Sequence, residues 1–511
     1  MDYKTSKYSE KYMKFVSSAF FRSFFVRLGS LIYIGFLGRA LTLDEMAIVV
    51  FVVISSAAIE LSSNFGLTYS MQQKAIYYGG EKGMKIIKSC FLTVMLVGCL
   101  YSIAMTLFFL IFIIDIGGIQ LSLEGQIEFL AINLFAVIFR TVISVEVSLM
   151  KVDKAVYLQA VYAGLTYFFV IVFYTIRSVI ESILLGMAIP PILLVIIEFK
   201  TIKSIMKYET IPKKELIDLI KFGLPFFISV LIAIGATYVD RWLIFANLGS
   251  DDLAVYHLMR RLAEVGLEIT LALTTGLFPI YTALFADSEE RLSRGYSHIS
   301  RIVLTVALPL FLVFFFFAKT IIVFILGEKY GVGEHVLMTL MIANIFYLIG
   351  FMTIWVKNAK GERIEYLVYW ILFLSFNAFF GLLLLPYGSQ GIAFAYFIAC
   401  VTCCIYSIIV TVETRKLPLK WIFRFLLFIS FTLLVIFSAV TFFSLWLSLI
   451  IVFLAIFFLP AIFGLISIHE FAVIKGVLPL KLEKLVIFYE RISKIGMFQP
   501  INDLTPEIDC K

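Results

Sequence analysis

Residues 89–114 read SCFLTVMLVGCLYSIAMTLFFLIFII, twenty-six positions without an Asp, Glu, Lys, Arg or His. A helix of this length covers about 39 Å at its usual rise, more than the roughly 30 Å of a bilayer's hydrocarbon. Apolar residues fall on every face, so neither a strand facing water nor an amphipathic helix fits. In lipid the backbone must satisfy itself, which a helix does alone. The stretch is a transmembrane helix, and the rest of the chain resembles it. Hydrophobic residues make up 62% of the 511 and charged residues 15%, against about 45–50% and 25% in soluble domains. These proportions exclude a soluble enzyme, a nucleic-acid binder and a disordered chain. A membrane barrel is excluded too, since its strands alternate over roughly 10 residues. The fold class is an all-α polytopic membrane protein.

Fourteen such spans are predicted, near 15–37, 46–70, 89–114, 127–149, 156–174, 178–198, 222–246, 253–279, 302–326, 335–356, 366–385, 391–412, 425–444 and 446–469. An even number places both termini on one side. With those termini inside, the inner segments carry 32 Lys and Arg, the outer loops four (Arg39, Arg177, Lys319, Lys329), and the spans six. Basic residues collect on the cytoplasmic side, so both termini are expected there, and the net charge of +7 reports topology. The first apolar stretch carries Arg22 and Arg27 and lacks a small-residue cleavage site, so it reads as a retained helix. Residues 480–495 mix apolar and basic positions at helical spacing, as an interfacial helix or a stop-transfer tail would.

Asp44-Glu45-Met46-Ala47 and Asp251-Asp252-Leu253-Ala254 align at an offset of 207, and Phe65-Gly66-Leu67 and Thr275-Gly276-Leu277 at 210. Acids in a first helical turn suit the helix dipole, so unrelated helix starts can look alike. Read as a repeat, the alignment gives a six-helix lobe at 1–198, a cytoplasmic linker at 199–221, a second six-helix lobe at 222–412, an appended helix pair at 413–469 and a cytoplasmic tail at 470–511. Two parallel repeats around a central cavity are a transporter architecture.

Four segments carry a resemblance. They are Leu37-Gly-Arg-Ala-Leu-Thr-Leu-Asp-Glu45 with Asn64-Phe-Gly-Leu67; Phe222-Gly-Leu-Pro-Phe226; Asp240-Arg241 with Leu248-Gly-Ser-Asp-Asp-Leu-Ala-Val-Tyr256 and Leu277-Phe-Pro279; and Leu326-Gly-Glu-Lys-Tyr330. In that order, over roughly residues 15–415, the chain resembles the prokaryotic polysaccharide flippases of the Wzx type. Their superfamily also holds multidrug extruders and lipid II flippases. The resemblance implies a fourteen-helix, two-lobed bacterial inner-membrane protein that moves an undecaprenyl-diphosphate-linked glycan outward by alternating access. It implies membrane lipids and other polysaccharide assembly proteins as partners, and no nucleic acid.

Charges inside a bilayer are costly and face protein or water. The spans hold Arg22, Arg27, Arg140, Arg241, Arg260 and Arg261, with Glu60, Glu146, Asp240, Glu264 and Glu268. Snorkelling from helix ends partly explains Arg22 and Arg241, but not Arg140 and Glu146, which fall mid-span. His257, Arg261, Glu264 and Glu268 share one helical face, and Arg260 stands four before Glu264. Such a stripe is either an interhelical ion-pair ladder or a cavity lining. Glu60 and Asn64 form its counterpart on the second helix.

A guanidinium offers planar paired donors to phosphate oxygens. Arg27, Arg140, Arg260 and Arg261 are therefore the expected diphosphate ligands. Glu60, Asn64, Asp240, Arg241, His257, Glu264 and Glu268 are the expected cavity or ion-coupling residues. Proton or sodium coupling is anticipated, with no other cofactor and no metal. A multidrug extruder would prefer acids and aromatics, and a glycan polymerase would need a large outer loop; none predicted here exceeds about sixteen residues. Cys400, Cys403 and Cys404 read as small packing residues. Pro190-Pro191, Pro225, Pro309 and Pro460 read as bend points.

Overall fold

The computed structural model describes residues 26, 28–115, 121–177, 180–273, 281, 285, 288–360, 362–411, 419–442, 445–463 and 465; Arg22, Arg27, residues 275–279 and the 480–495 segment lie outside them. Every regular element among the described residues is helical. In chain order they are α1 (Leu28–Ala40), α2 (Leu43–Ser62), α3 (Leu67–Tyr78), α4 (Gly80–Thr93) and α5 (Cys99–Asp115). Next come α6 (Leu123–Ser148), α7 (Val152–Arg177), α8 (Ile180–Ile197), α9 (Phe199–Met206), α10 (Lys213–Asn247) and α11 (Ser250–Leu273). The remainder are α12 (Glu289–Phe316), α13 (Ala318–Leu326), α14 (Glu334–Ala359), α15 (Arg363–Leu383), α16 (Gly388–Val410), α17 (Leu419–Phe442) and α18 (Leu445–Ile462).

Among the described residues, ten helices are long and apolar enough to cross a membrane, and α1 and part of α17 are shorter apolar helices. The protein is thus a multi-pass membrane protein, and the expected fourteen spans are not all found by that measure among the described residues. One cause is α11, whose polar face lowers its hydropathy although it packs against α2, α12 and α14.

The second expected span, 46–70, is broken. Thr42 caps α2 and forms a reciprocal capping box with Glu45. At the far end Asn64 Oδ1 accepts from the Gly66 amide (2.9 Å) while its Nδ2 donates to the Leu61 carbonyl (3.0 Å). This turn stops the helix, and Gly66 passes through φ +74° before α3 begins. Residues 71–88, expected as an inner connection, are helical in α3 and α4. The expected third span starts in α4 and crosses a π-helical turn at Val94–Gly98 into α5. That wide turn sets Gly98 against α2, where a Cβ would come within 2.8 Å of the Ser63 carbonyl oxygen.

Helices α6, α7 and α8 pack together, as do α14, α15 and α16. Close backbone approach explains the small residues there: a Cβ on Gly350 of α14 would lie 3.1 Å from the Cys404 backbone. Cys400, Cys403 and Cys404 are buried in that seam. The pair α17–α18 docks on α12. The prolines at 190, 191, 225, 309 and 460 all lie inside helices.

The early and late helices meet at both ends. At one end α2 packs along α11, and the Ser250 hydroxyl bonds the Asp44 carboxylate. The Arg39 guanidinium donates to the Phe324 and Ile325 carbonyls at the end of α13, and Lys329 donates to the Leu41 carbonyl after α1. At the opposite end α3 crosses α10, where a Cβ on Gly66 would come within 2.2 Å of the Gly223 carbonyl oxygen. Ser70 Oγ donates to the Leu219 carbonyl there (2.8 Å).

The connection from α9 to α10 is fastened to α4. Lys88 donates to the Met206 carbonyl (2.9 Å) and to that of Tyr208, and the Ile211 amide donates to Ser89 Oγ (2.8 Å). Lys85, 3.0 Å from exposed Glu209, holds that carboxyl below its usual range.

Candidate functional site

Two residues, Leu248 and Gly249, join α10 to α11, with Gly249 at φ +99°. So short a link returns the chain antiparallel along itself. The fully buried Asp240 then bonds across the seam, its Oδ2 accepting from the Tyr256 hydroxyl at 2.7 Å. Its Oδ1 accepts from the Arg241 amide at 2.7 Å. One carboxylate oxygen thus serves the seam and the other an amide of its own helix, and Asp240, fully buried, has no accessible surface with which to line a cavity as expected.

The seam carries Arg241 inward. Only 1% of Arg241 is exposed, so it does not snorkel, and its Nη2 donates to Glu264 Oε1 at 2.7 Å. Arg260 Nε reaches the same oxygen at 3.2 Å, and Arg261 Nη1 reaches Oε2 at 3.2 Å. Arg260 also lies over the Tyr396 ring, 3.6 Å from its centroid. Three guanidiniums meet one carboxylate, and the buried Asp240, within electrostatic reach of Arg260, offsets one of the two positive charges left over. Glu268, one turn further along α11, lies within electrostatic reach of Arg261 and offsets part of the other. His257, on the turn before, is buried with no hydrogen bond to Nδ1 among the described residues.

Across from α11, Arg140 on α6 meets Glu60 on α2 at 3.9 Å. The expected counterpart of the α11 stripe thus consists of Glu60 with Arg140. Asn64 has both amide atoms committed to the turn that ends α2, a correction to its expected place in the cavity. The expected mid-span position of Glu146 is corrected as well. It sits in the last turn of α6, bonded by Lys154 (2.7 Å) and Thr201 (2.9 Å), with Glu198 on the same lysine (2.6 Å). Arg27 lies outside the described residues.

Glu60, Arg261 and Glu264 lie deep among protein atoms, yet 28%, 33% and 17% of their side-chain surfaces stay accessible. Side chains so placed face an internal, water-accessible space. Tyr33, Tyr162 and Tyr238 share the property, and Tyr167 is partly accessible beside them. The Tyr33 and Tyr167 rings stack at 4.8 Å and 27°. Tyr33 and Tyr238 lie within electrostatic reach of Arg261, and Tyr162 and Tyr238 within reach of Glu60. These tyrosines went unread in the sequence, where nothing separates them from the other twenty-one.

The sequence pattern of a family described as polysaccharide biosynthesis protein matches residues 36–332, more than half of the chain and the whole of the α2–α11 frame. The chain belongs to that family. No curated protein sequence matches it. Among solved structures it is similar to the lipid II flippase MurJ in an inward closed conformation, at TM-score 0.66 and 18% identity, over 87% of this chain and 98% of that one. It is also similar to an inward-facing multidrug resistance transporter of the MATE family (0.61, 16%, 75% and 93%). A MOP-superfamily transporter from Pyrococcus furiosus, described by the reversed polarity of its binding pocket, matches as well (0.59, 16%, 78% and 94%). At these identities the likeness establishes a shared transporter fold.

Proposed function

We propose that the protein flips a polyprenyl-diphosphate-linked oligosaccharide from the cytoplasmic to the outer leaflet by alternating access, and does no covalent chemistry. The observation that carries this is the trio Arg241, Arg260 and Arg261 on the single carboxylate of Glu264, of which Arg261 and Glu264 face an internal accessible space while Arg241 and Arg260 stand buried behind them. A diphosphate is a dense anion, and guanidinium forks match its oxygens. A cation extruder would place acids in excess there. The family's description and the lipid II flippase among its structural relatives support a lipid-linked glycan as substrate.

In this reading, residues 1–198 and 222–412 form two lobes around the cavity, with 199–221 between them, 413–469 as an added pair and 470–511 as a tail. The membrane is the bacterial plasma membrane, with both termini cytoplasmic, as the distribution of Lys and Arg supports. The latch at Arg39, Asp44 and Lys329 is then on the outer side. Glu264 is committed to three guanidiniums, so coupling to a proton or sodium gradient falls to Glu60 and Glu268. Other polysaccharide assembly proteins are the expected neighbours in the membrane.

Deletion of the gene tests the function. The expected result is loss of surface glycan with the lipid-linked unit accumulating on the cytoplasmic side. Intact surface glycan with raised sensitivity to cationic drugs would make the protein an extruder. Single units that reach the outer face but never lengthen would make it a polymerase.

A further inference from the structure

The diphosphate site accounts for the arginines but not for the tyrosines beside them. Tyr33, Tyr162, Tyr167 and Tyr238 come from α1, α7 and α10, three helices distant in sequence. Each is partly accessible, and Tyr33, Tyr162 and Tyr238 lie deep among protein atoms. Among the described residues, none of their hydroxyls makes a hydrogen bond, whereas Tyr174, also on α7, donates to the Ala40 carbonyl. Tyrosine hydroxyls in a protein interior normally find a partner. Four together without one, in an aqueous space, leave donors and acceptors open to whatever fills it.

Their position is equally specific. Tyr33 and Tyr238 lie within electrostatic reach of Arg261, and Tyr162 and Tyr238 within reach of Glu60, which pairs with Arg140. Tyr33 and Tyr167 hold each other at 4.8 Å, and Gly29 lies against the Tyr167 ring, where a Cβ would sit at 3.4 Å. A stacked pair backed by a glycine is rigid and loses little freedom when a ligand arrives. A pyranose ring has an apolar face of C–H groups and a rim of hydroxyls. A wall of tyrosine rings with free hydroxyls matches both.

We infer that Tyr33, Tyr162, Tyr167 and Tyr238 form the subsite for the sugar rings next to the diphosphate. This rests on the function proposed above and deepens it. The wall supplies stacking and adaptable hydrogen bonds, so it recognises a glycan chain of this length and shape more than one particular sugar.

The test uses the full-length protein in nanodiscs and two probes. One is undecaprenyl diphosphate without sugar; the other is the lipid-linked oligosaccharide extracted from the deletion strain. Tyr33→Ala and Tyr167→Ala should bind the glycosylated lipid about tenfold more weakly, the size of one lost aromatic contact, and the bare lipid as wild type does. Tyr33→Phe and Tyr167→Phe keep the ring and should recover most of the difference. Tyr162→Ala, outside the stacked pair, gives a second reading if disrupting the stack lowers expression. Equal weakening for both lipids, or none for the glycosylated one, would overturn the subsite while leaving the function in place. Wild-type protein that binds neither lipid would overturn both. Binding of tetraphenylphosphonium that Tyr33→Ala abolishes would make the tyrosines a cation cage instead.

Discussion

Replacing Glu264 by Gln leaves Arg241 and Arg260 charged, buried and without their carboxylate. Removing one partner from a buried ion pair destabilises by about 3–5 kcal/mol, so Glu264→Gln should melt well below wild type in detergent. Arg241 and Arg261 should then separate. Arg241 is 1% exposed and also donates to the Thr237 carbonyl (3.1 Å), so Arg241→Ala is expected to lower the melting temperature. The Arg261 side chain keeps a third of its surface in the cavity. Arg261→Ala should therefore fold and reach the membrane, yet leave lipid-linked oligosaccharide unflipped. An Arg261→Ala protein that flips at the wild-type rate would remove that side chain from the diphosphate site. The sequence shows the α11 stripe because charges in an apolar run stand out. It does not show that Glu264 is the common partner, since Arg241 comes from another helix. It also misjudges Asp240 and Asn64, whose carboxylate and amide answer to nearby donors and carbonyls that hydropathy cannot display.

Among the elements, the turn at residues 63–66 and the helix α3 were least legible. Asn64-Phe-Gly-Leu67 sits inside an apolar run, so span-finding carries the helix through it. The local amide and carbonyl bonds of Asn64 and the left-handed Gly66 decide otherwise. Gly223 is the other half of that feature, with the Gly66 carbonyl oxygen and Ser70 Oγ each 2.6 Å from where its Cβ would be. One of those obstacles is backbone and cannot rotate away. Gly223→Ala should push α3 off α10, giving poor expression and an early melt, whereas Ser70→Ala, which loses one hydrogen bond, should cost about 1 kcal/mol. Normal melting of Gly223→Ala would show that the crossing can yield. The helix starts at Asp44 and Asp251, which align in the sequence at an offset of 207, meet in the structure through the Ser250 hydroxyl and the Asp44 carboxylate.

For the whole molecule, alternating access requires that the two ends behave differently. The end at Arg39, Asp44 and Lys329 is held by α1 lying against α13, where a Cβ on Gly35 would sit 3.1 Å from the Ile325 carbonyl oxygen, and by side chains reaching across, each donating to one or two carbonyls or accepting one hydroxyl. The side-chain contacts are individually weak and can break together. The α3–α10 crossing is backbone against backbone, which cannot open without unstacking two helices, so it suits a pivot. Cross-linking distinguishes them. A disulfide between Asp44→Cys and Ser250→Cys should stop transport in oxidised cells and release it on reduction. A disulfide between Ser70→Cys and Leu219→Cys should leave transport largely intact, because pivot residues keep their distance. Oxidised Asp44→Cys/Ser250→Cys protein transporting at its reduced rate would mean that the latch never opens. A block at the α3–α10 pair would mean that the crossing is a gate, and the substrate's path would then have to pass between α3 and α10.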